Sequence, residues 1–484
     1  MTRGGSTGAM TPPDITLDAL RAAQVGALAP FRLALDDGEF LIGDAIYRHL
    51  PGRRLVFGAA WQNRRILVKL FFRARDHARE RAGLERLHSR GIRSPALHRL
   101  PELPGAWLLA TEFLPGAQSL AERLRSRTAA AADADVAATL ALLGALHRAE
   151  LIQADPHLDN FLFSDDIPHV IDGAGIHPAR KQNARRANLA LFLAQFDPTR
   201  DPRLLALLPA YGTPPPDPGK LARAVLRARH RRLRHYRNKC LRTCGEFIAE
   251  RRWDRLVVRR RDYANPGLDA LLTAPEAQLA AGDWLKDGNT ASVLRVAAGG
   301  AALVVKRYNI KHWRHGLGRA PRRSRAWISW QNANMLALLG IPTPQPLALL
   351  EHRFGPLRRT AYLIGAYSPG VPLQDWLRQP RLRQPGDAAV PDWLDRALRD
   401  ILAALGTACI SHGDLKASNF LVDDTDRRVQ LIDLDAMRLH RCGRRFRRAR
   451  RRDLARFLAN WDGTIRRHFE NLLAPLRAGV RPEQ

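Results

Sequence analysis

The feature that most constrains the fold of this chain is an internal repeat, because two halves carry the same features in the same order. Residues 53–72, "RRLVFGAAWQNRRILVKLFF", and residues 291–308, "ASVLRVAAGGAALVVKRY", both have the pattern of a two-stranded hairpin with a Lys near its end. A helical stretch follows in each half and stops at a Gly-Ile followed by a Pro, with Gly91 and Gly340 at the helix-stop position. The repeat predicts two domains of similar fold.

The parallel order continues to the end of each half. An apolar strand, a Pro-Gly turn and a helix come next, in "WLLATEFLPGAQSLAERL" and "AYLIGAYSPGVPLQDWL". A polar loop then precedes a short strand that ends in Asp, and the loops read "IQADPHLDNF" and "SHGDLKASNF". Both halves finish with an amphipathic helix, "NLALFLAQF" and "DLARFLANW". So many correspondences in one order indicate a duplication.

The length of 484 residues also exceeds what one ordinary core needs, so several domains are expected. We predict a first domain over residues 1–211 and a second over 263–484. Residues 212–262 lie between them and comprise a Pro-rich linker, "GTPPPDPG", and a basic helical segment. The pattern leaves open whether this segment closes the first domain as a solvated helix or forms an anion-binding surface.

The charge of the chain points to an anionic partner. A formal net charge of +31 suits nucleic acid, an acidic membrane surface or a phosphorylated substrate. The four cysteines have no CxxC spacing, so a zinc site is not expected and a reduced compartment fits them best. The sequence has no run of about 20 apolar residues and no signal-peptide pattern at its start, so we expect a cytoplasmic protein with any membrane contact at the surface.

The polar loop of the second half belongs to a set of residues suited to phosphoryl transfer. That reaction needs positive charge around the phosphates, an acid that orients the acceptor hydroxyl, and oxygen ligands for Mg²⁺. Lys306 supplies the strand lysine, Asp414 the acid, and Lys416 a cation for the transferring phosphate. Asn419 and Asp433 supply the metal ligands. Each residue alone has an ordinary structural explanation, but their order and spacing together favour a phosphotransferase.

A turn around Gly288, in "LKDGNTASV", precedes the first strand of the second half. Backbone N–H groups of such a turn can cover phosphates. One Gly beside Asn and Asp is more often an ordinary hairpin turn, so the turn by itself is a weak signal for phosphate binding.

These residues resemble the protein-kinase-like fold and, within it, the bacterial lipopolysaccharide core kinases of the InaA, WaaP and Kdo-kinase group. The phrases that carry the resemblance are "VVKRYNIKHWRHGL", "LGIPTPQPLAL", "SHGDLKASNFLV" and "LIDLDAMRLH". The resemblance covers most of residues 284–461. It implies an α+β fold of two tandem bilobal domains, each with a small antiparallel β-sheet lobe and a mainly helical lobe. It also implies ATP and Mg²⁺ as cofactors.

The first half looks like a divergent member of the same group. By the resemblance, Lys69 matches the strand lysine and Glu80 the helix acid that pairs with it in such kinases. Asp155 matches the catalytic acid, and Asn160 and Asp172 match the metal ligands.

Each half departs from the pattern in a different place. Ser329 occupies the position of the helix acid in the second half, so Lys306 must be held by another group. In the first half Gln153 replaces His412 and His157 replaces Lys416. Neither half can be dismissed as inactive on these grounds.

An arginine block follows Asp433, with nine Arg in the fifteen residues from Arg438 to Arg452. Such a block can clamp an acidic acceptor, because guanidinium groups bind phosphate and carboxylate bidentately. It can also be a solvated charge run. Nucleic acid is not the expected partner, because the basic runs contain few aromatic residues for base stacking.

The resemblance implies transfer of phosphate to a heptose or Kdo hydroxyl of the lipopolysaccharide inner core. The acceptor would be an anionic glycolipid, and the protein would sit peripherally at the cytoplasmic face of the inner membrane. Two alternatives stay open: a protein Ser/Thr or Tyr kinase, and a non-catalytic pseudokinase scaffold for core assembly.

Overall fold

The computed structural model describes residues 12–22, 29–212, 217–288, 290–308, 323–355, 357–379, 390–441 and 443–478. Part of the predicted Pro-rich linker, part of the "VVKRYNIKHWRHGL" segment, Asn289 and Cys442 lie outside the described residues. The contacts divide the chain into two compact units. Unit 1 comprises Met1–Gln195 and Pro202–Val225, and unit 2 comprises Phe196–Asp201 and Leu226–Gln484.

Unit 1 begins with helix α1 (Leu17–Ala22) and an antiparallel six-stranded sheet in the order β1-β2-β3-β4-β6-β5. Its strands are β1 (Phe31–Ala34), β2 (Phe40–Leu50), β3 (Arg54–Trp61), β4 (Arg64–Phe71), β5 (Leu97–His98) and β6 (Trp107–Glu112). The predicted hairpin is β3–β4, and its turn residues Gln62 and Asn63 have positive φ angles of 46° and 58°, as tight hairpin turns require. Helix α2 (Ala74–Ser89) follows the hairpin.

The rest of unit 1 is mainly helical. Its elements are β7 (Gln118–Ser119), α3 (Leu120–Ser126), α4 (Ala129–Arg148), β8 (Leu151–Gln153), β9 (Phe161–Ser164), β10 (Ile167–Val170), β11 (Ile176–Pro178) and α5 (Gln182–Leu193). Next come α6 (Asp201–Ala206) and α7 (Pro218–Lys239), of which the part from Leu226 onward is assigned to unit 2. 3₁₀ turns lie at Leu158–Asn160, Gly173–Gly175 and Leu208–Tyr211 in unit 1, and at Pro198–Arg200 in unit 2. A capping box at Ser119 and Glu122 fixes the start of α3.

Helix α4 is the described helix that is long and apolar enough to cross a membrane, with a mean hydropathy of 1.5. Half of it is buried inside the protein. Its inward face carries Leu140, Leu143 and Leu146 together with the buried polar residues Asp135 and His147. We therefore assign α4 to the core of unit 1.

Unit 2 contains an antiparallel seven-stranded sheet in the order β12-β13-β17-β18-β16-β15-β14. Its strands are β12 (Phe247–Arg251), β13 (Arg255–Arg260), β14 (Asp283–Lys286), β15 (Ala291–Ala298), β16 (Ala301–Tyr308), β17 (Pro346–Phe354) and β18 (Leu357–Ala366). The predicted hairpin is β15–β16, which turns at Gly299 and Gly300 with φ angles of 57° and 78°. Three helices lie between its strands in the sequence: α8 (Pro266–Thr273) and α9 (Pro275–Ala280) between β13 and β14, and α10 (Arg325–Leu338) between β16 and β17.

The remainder of unit 2 is again mainly helical. It consists of β19 (Val371–Pro372), α11 (Leu373–Trp376), α12 (Asp392–Thr407), β20 (Ile410–Ser411), β21 (Phe420–Asp423), β22 (Arg428–Leu431), β23 (Arg438–Leu439), α13 (Arg444–Leu458) and α14 (Gly463–Ala478). Short 3₁₀ turns lie at Ala417–Asn419 and Leu434–Ala436. A core that includes Leu398, Leu405, Phe420 and Phe457 holds these elements together.

Two details differ from what the sequence suggested. Residues 247–260, which the sequence placed in the basic segment between the domains, form β12 and β13 of the unit 2 sheet, where Leu256, Val257 and Val258 of β13 are all buried. Cys240 and Cys244 are free thiols, whereas Cys409 is disulfide-bonded and so differs from the reduced cysteines expected.

Candidate active site

The strand lysine of unit 2 is bound to the acid that follows β22. Lys306 Nζ on β16 donates a hydrogen bond to Asp433 Oδ1 at 2.7 Å. Burial alone would raise the pKa of Asp433, but the charge and hydrogen bond of Lys306, together with the charge of Arg325, lower that pKa. Asp433 has a left-handed backbone with φ 60° and ψ 61°. The structure therefore brings together these two residues, which lie 127 positions apart in the sequence.

Helix α10 lacks an acid facing Lys306, as the sequence indicated. Ser329 lies there instead and its Oγ forms a hydrogen bond of 2.9 Å with the hydroxyl of Tyr308. Both side chains are buried. Tyr308 also lies beside Lys306, whose Nζ is 5.1 Å from the centre of the ring. The lysine is thus held by Asp433 and the Tyr308 ring.

Other residues of α10 fix the segment after Asp433. The buried amide of Asn332 donates from Nδ2 to the carbonyl of Leu434 at 2.8 Å. Arg325, at the start of the helix, donates from Nε to Asp435 Oδ2 at 2.7 Å. Helix α10 is therefore tied to the Asp433 segment by an amide and an exposed ion pair.

The polar loop of unit 2 places Asp414 and Asn419 beside the same segment. Asn419 Nδ2 donates to the carbonyl of Asp414 at 2.7 Å, which leaves Oδ1 of Asn419 as an oxygen ligand. The backbone N–H of Ile432, directly before Asp433, donates to the carbonyl of Asn419 at 2.9 Å. Lys416 Nζ lies 3.0 Å from Asp414 Oδ2. All of the residues predicted for this half except Gly288 therefore belong to one network.

His412 supports the loop from inside the protein. Its Nε2 lies 3.0 Å from the carbonyl of Ile432, and its Nδ1 accepts the N–H of Asp414 at 3.3 Å. Burial lowers the pKa of His412, which fits a neutral ring that donates from Nε2 and accepts at Nδ1.

Helix α13 contributes two residues that the sequence analysis did not assign. The carboxylate of Asp453 accepts the backbone N–H of His412 at 2.7 Å and that of Gly413 at 3.0 Å. Arg456, one turn later, donates from one terminal nitrogen to Asp414 Oδ1 at 3.0 Å and to the carbonyl of Gly413 at 2.7 Å. A signal was available, because Asp453 opens "DLARFLANW" where Asn188 opens the matching "NLALFLAQF".

In unit 1 the strand lysine has the partner that the resemblance implied. Lys69 on β4 forms a buried ion pair with Glu80 on α2 and donates to the carbonyl of Ile171 at 3.0 Å. The carboxylate of Glu80 also accepts the backbone N–H groups of Gly173 and Ala174, at 3.2 and 3.1 Å. Helix α2 is therefore fixed directly on the segment after Asp172.

Asp172 is influenced by the charges of both Glu80 and Lys69. Burial and the negative charge of Glu80 raise the pKa of Asp172, and the positive charge of Lys69 only partly opposes them. The backbone of Asp172 is extended, with φ −110° and ψ 96°, in contrast to the left-handed Asp433. The acid that follows the strand is thus placed differently in the two units.

The polar loop of unit 1 has the same loop hydrogen bonds as that of unit 2 but lacks the cations that lie beside Asp414. Asn160 Nδ2 donates to the carbonyl of Asp155 at 2.8 Å, and the N–H of Ile171 donates to the carbonyl of Asn160 at 3.3 Å. Gln153 takes the place of the histidine and donates to the carbonyl of Asp172 at 2.8 Å. His157 lies 3.1 Å from Asp159 and not at Asp155, whose side chain is exposed.

Gly288 lies in the turn that leads from β14 into β15. A Cβ at this position would come within 2.8 Å of the Ala291 carbonyl, so the turn has room only for glycine. Among the described residues no hydrogen bond connects Gly288 with Lys306 or Asp433, and its assignment to the nucleotide stays a prediction.

The donor set of unit 2 fits a magnesium ion held largely by a nucleotide. No cluster of three His, Cys, Asp or Glu side chains able to hold a metal occurs within the described ranges. Magnesium in phosphotransferases needs fewer, because phosphate oxygens and water complete its shell around one or two side-chain oxygens. Asn419 and Asp433 offer such oxygens on loops joined by a backbone hydrogen bond.

A small antiparallel sheet bearing a lysine, a mainly helical part, and loops bearing Asp414, Asn419 and Asp433 define a domain of the protein-kinase-like class. The model of the lipopolysaccharide kinase (Kdo/WaaP) family matches residues 282–473. This part of the chain belongs to that family, and the protein is a kinase.

Two solved structures are among those that match the chain. "WaaP in complex with acyl carrier protein" is 22% identical, with 43% of this chain and 87% of that chain covered and a TM-score of 0.31. "Structure of vaccinia related kinase 3" is 12% identical, with 33% and 54% covered and a TM-score of 0.24. No curated protein sequence matches the chain.

Proposed function

We propose that this protein transfers the γ-phosphate of ATP, with Mg²⁺, to a heptose or Kdo hydroxyl of the lipopolysaccharide inner core. The observation that carries the proposal is the network of unit 2, in which Lys306 meets Asp433 and the Asp414 loop is bonded to the same segment. The network lies inside the range that matches the family of lipopolysaccharide kinases.

Each residue of the network has a role in this reaction. Lys306 neutralises the phosphates of the nucleotide, and Asp414 orients the acceptor hydroxyl and accepts its proton. Lys416, which already lies 3.0 Å from Asp414, stabilises negative charge on the transferring phosphate. Asn419 and Asp433 hold Mg²⁺, which neutralises charge on the phosphate oxygens when it is bound.

We further propose that the chain is a tandem duplication and that unit 2 performs the transfer. Unit 1 has the same order of elements, and Lys69, Glu80, Asp155, Asn160 and Asp172 occupy the corresponding positions. Burial and the negative charge of Glu80 raise the pKa of its Asp172, whereas a carboxyl group must be deprotonated to hold a metal ion. This favours a supporting role for unit 1. Unit 1 alone would then be the non-catalytic scaffold, whereas the pseudokinase alternative makes the whole chain one.

The proposal places the protein at the cytoplasmic face of the inner membrane, where an anionic glycolipid is presented. The net charge of +31 supports peripheral contact with anionic lipids. A protein Ser/Thr or Tyr kinase is the remaining alternative, because Lys416 is also compatible with a protein acceptor.

The test is phosphate transfer from Mg-ATP to purified core lipopolysaccharide by the full chain. We expect Asp414→Asn to reduce the rate at least about 100-fold, because the group that orients the hydroxyl is lost. Asp155→Asn is the matched change in unit 1 and should leave most of the rate. Transfer that survives Asp414→Asn unchanged would refute the site, and transfer to protein but to no saccharide would favour the alternative.

A further inference from the structure

Four exposed arginines of α13 form a stripe that leads to the catalytic acid. Arg445, Arg448, Arg452 and Arg456 are all exposed, and their spacing of three, four and four residues places them within roughly 80° on one side of the helix. The opposite side packs into the core through Phe446, Leu454 and Phe457, among others. We call these four residues the arginine stripe.

The last member of the stripe contacts Asp414 with only part of its guanidinium group. One terminal nitrogen of Arg456 serves both the carbonyl of Gly413 and Asp414 Oδ1. Its Nε and second terminal nitrogen have no hydrogen-bond partner among the described residues, and the side chain is 48% exposed. The edge formed by these two nitrogens has the geometry that binds a phosphate or carboxylate bidentately.

Unlike Arg456, the other three members have no acidic partner in the described part of the chain. Like charges at these spacings repel one another, so the helix would be more stable without them. An anionic ligand that bridges the guanidinium groups removes this repulsion.

Unit 1 offers an internal comparison. Leu191 lies where the repeat places Arg456, three residues after Asn188, and is half-buried. His157, in the place of Lys416, pairs with Asp159. Asp155 therefore has neither of the cations that flank Asp414.

We propose that Arg456 and the arginine stripe read an anionic group on the acceptor, and that this group lies within about one sugar residue of the hydroxyl that is phosphorylated. This rests on the proposed function. Because Arg456 contacts Asp414 directly, an anion on its free edge brings a neighbouring hydroxyl to the catalytic carboxylate. The acceptor is thus an acidic saccharide, and any phosphate that is read must be added by an earlier phosphorylation.

The experiment measures steady-state transfer to soluble core oligosaccharides with Mg-ATP. One acceptor carries its native phosphates and carboxylates, a second has been dephosphorylated, and a third has had its carboxylates reduced. The proteins are the wild type, Arg456→Gln, Arg452→Gln and the control Arg451→Gln. Arg451 is an exposed arginine of the same helix that lies off the stripe.

We expect Arg456→Gln and Arg452→Gln to raise KM for the native acceptor roughly 10-fold or more, since each loses a charge-assisted contact. Arg452→Gln should leave kcat within about two-fold, because it does not touch Asp414, and Arg451→Gln should leave both constants unchanged. One of the two modified acceptors should raise the wild-type KM to the level of the variants. If it is the dephosphorylated one, the stripe recognises phosphate; if it is the one with reduced carboxylates, the stripe recognises carboxylate. Thermal unfolding of each variant excludes misfolding as the cause.

Equal KM values for all three acceptors in the wild type, or an effect of Arg451→Gln as large as that of Arg452→Gln, would overturn the inference and leave the proposed function standing. An RNA oligonucleotide that binds the stripe residues more tightly than the native saccharide does, and so inhibits transfer, would also overturn the inference. Wild-type protein that phosphorylates none of the saccharides would refute the proposed function itself.

Discussion

Lys306 and Asp433 form a direct hydrogen bond of 2.7 Å in unit 2, whereas the corresponding lysine of unit 1, Lys69, pairs with Glu80. The difference follows from one position on the helix after the lysine strand, where Ser329 of α10 stands in place of Glu80 of α2. With no carboxylate on the helix, the lysine bonds to the acid that the proposal assigns to the metal. Nucleotide and metal would therefore separate this pair when they bind.

Replacing Lys306 by Met should lower kcat/KM for ATP at least about 100-fold, because a positive charge that would meet the phosphates is lost. The change should also raise the pKa of Asp433, since burial remains while the opposing charge is gone. The measurement is kcat/KM between pH 5 and pH 8. Lys220→Met, at an exposed lysine of α7, is the control. An unchanged kcat/KM would contradict the assignment of Lys306.

The same substitution has a consequence for stability. In the wild type the pKa of Asp433 lies below its usual value of 3.8, so the ion pair contributes stability above that pH and loses it only as the pH falls through the lowered value. In Lys306→Met this contribution is absent, and burial of the carboxylate makes the loss of its charge begin at a higher pH. Urea unfolding between pH 3.5 and pH 6 measures the difference.

Much of the site could be predicted because its residues sit at strand ends and in a short loop. Lys306 ends an apolar strand, and the spacing from Asp414 to Asn419 lies within one loop, so local pattern alone relates them. The partner of Lys306 could not be predicted, because it depends on the left-handed backbone of Asp433 and on a contact across 127 residues.

The contribution of α13 was missed for a related reason. Asp453 and Arg456 reach their loop partners from about 40 residues away, and in the sequence they merge with a dense arginine block. Strands β12 and β13 were missed because arginines flank their short apolar runs, and their strand character depends on the pairing of β12 with β13 and of β13 with β17.

Asp453 should act as a positioning residue for the Asp414 loop. Asp453→Asn replaces one of the oxygens that accept from His412 and Gly413 by an N–H donor, so we expect a loss of about 1–3 kcal/mol in stability and roughly a 10-fold or greater fall in kcat. Activity is measured at saturating ATP, well below the unfolding temperature.

The control is the reciprocal change in unit 1. Asn188 donates from Nδ2 to the carbonyl of Gln153 at 2.6 Å. Asn188→Asp replaces this donor by a carboxylate oxygen, which cannot bind a carbonyl, so the protein should also lose about 1–3 kcal/mol of stability. If unit 2 performs the transfer, kcat of Asn188→Asp should stay close to that of the wild type. A fall in kcat as large as that of Asp453→Asn would assign catalysis to both units or show that the effect is only one of stability.

Gly83 allows the closest approach between α2 and the segment after Asp172. A Cβ at this position would lie 1.8 Å from the carbonyl oxygen of Gly173. Gly83→Ala should therefore separate the helix from this segment and weaken the contact of Glu80 with Gly173, at a cost of about 1–3 kcal/mol. Gly219→Ala, in α7 with no atom closer than 3.5 Å, should be neutral or stabilising by up to about 1 kcal/mol. Equal urea midpoints for the two variants would contradict this account of α2.

His147 should make unit 1 sensitive to acid. Its ring lies between Tyr211 and Asn188, with Nδ1 2.7 Å from the tyrosine hydroxyl and Nε2 3.0 Å from Asn188 Oδ1. Burial lowers the pKa of His147 from 6.5 to about 4. Between these values the unfolded chain binds the proton and the folded chain does not, so stability falls as the pH falls from 6.5 towards 4, by roughly 3 kcal/mol in total.

His147→Gln removes the titrating group and should flatten this dependence, while His235→Gln, at an exposed histidine of α7, should leave it unchanged. Hydrogen exchange of the α4 amides at pH 4.5, 5.5, 6.5 and 7.5, corrected for intrinsic rates, follows unit 1 within the full chain. The α4 amides of the wild type should lose protection progressively below pH 6.5. In His147→Gln their protection should be lower at pH 7.5 and should change little with pH. If His147→Gln loses protection with the same slope as the wild type, another group is responsible for the acid sensitivity, and the neutral ring between Tyr211 and Asn188 is not what limits the stability of α4.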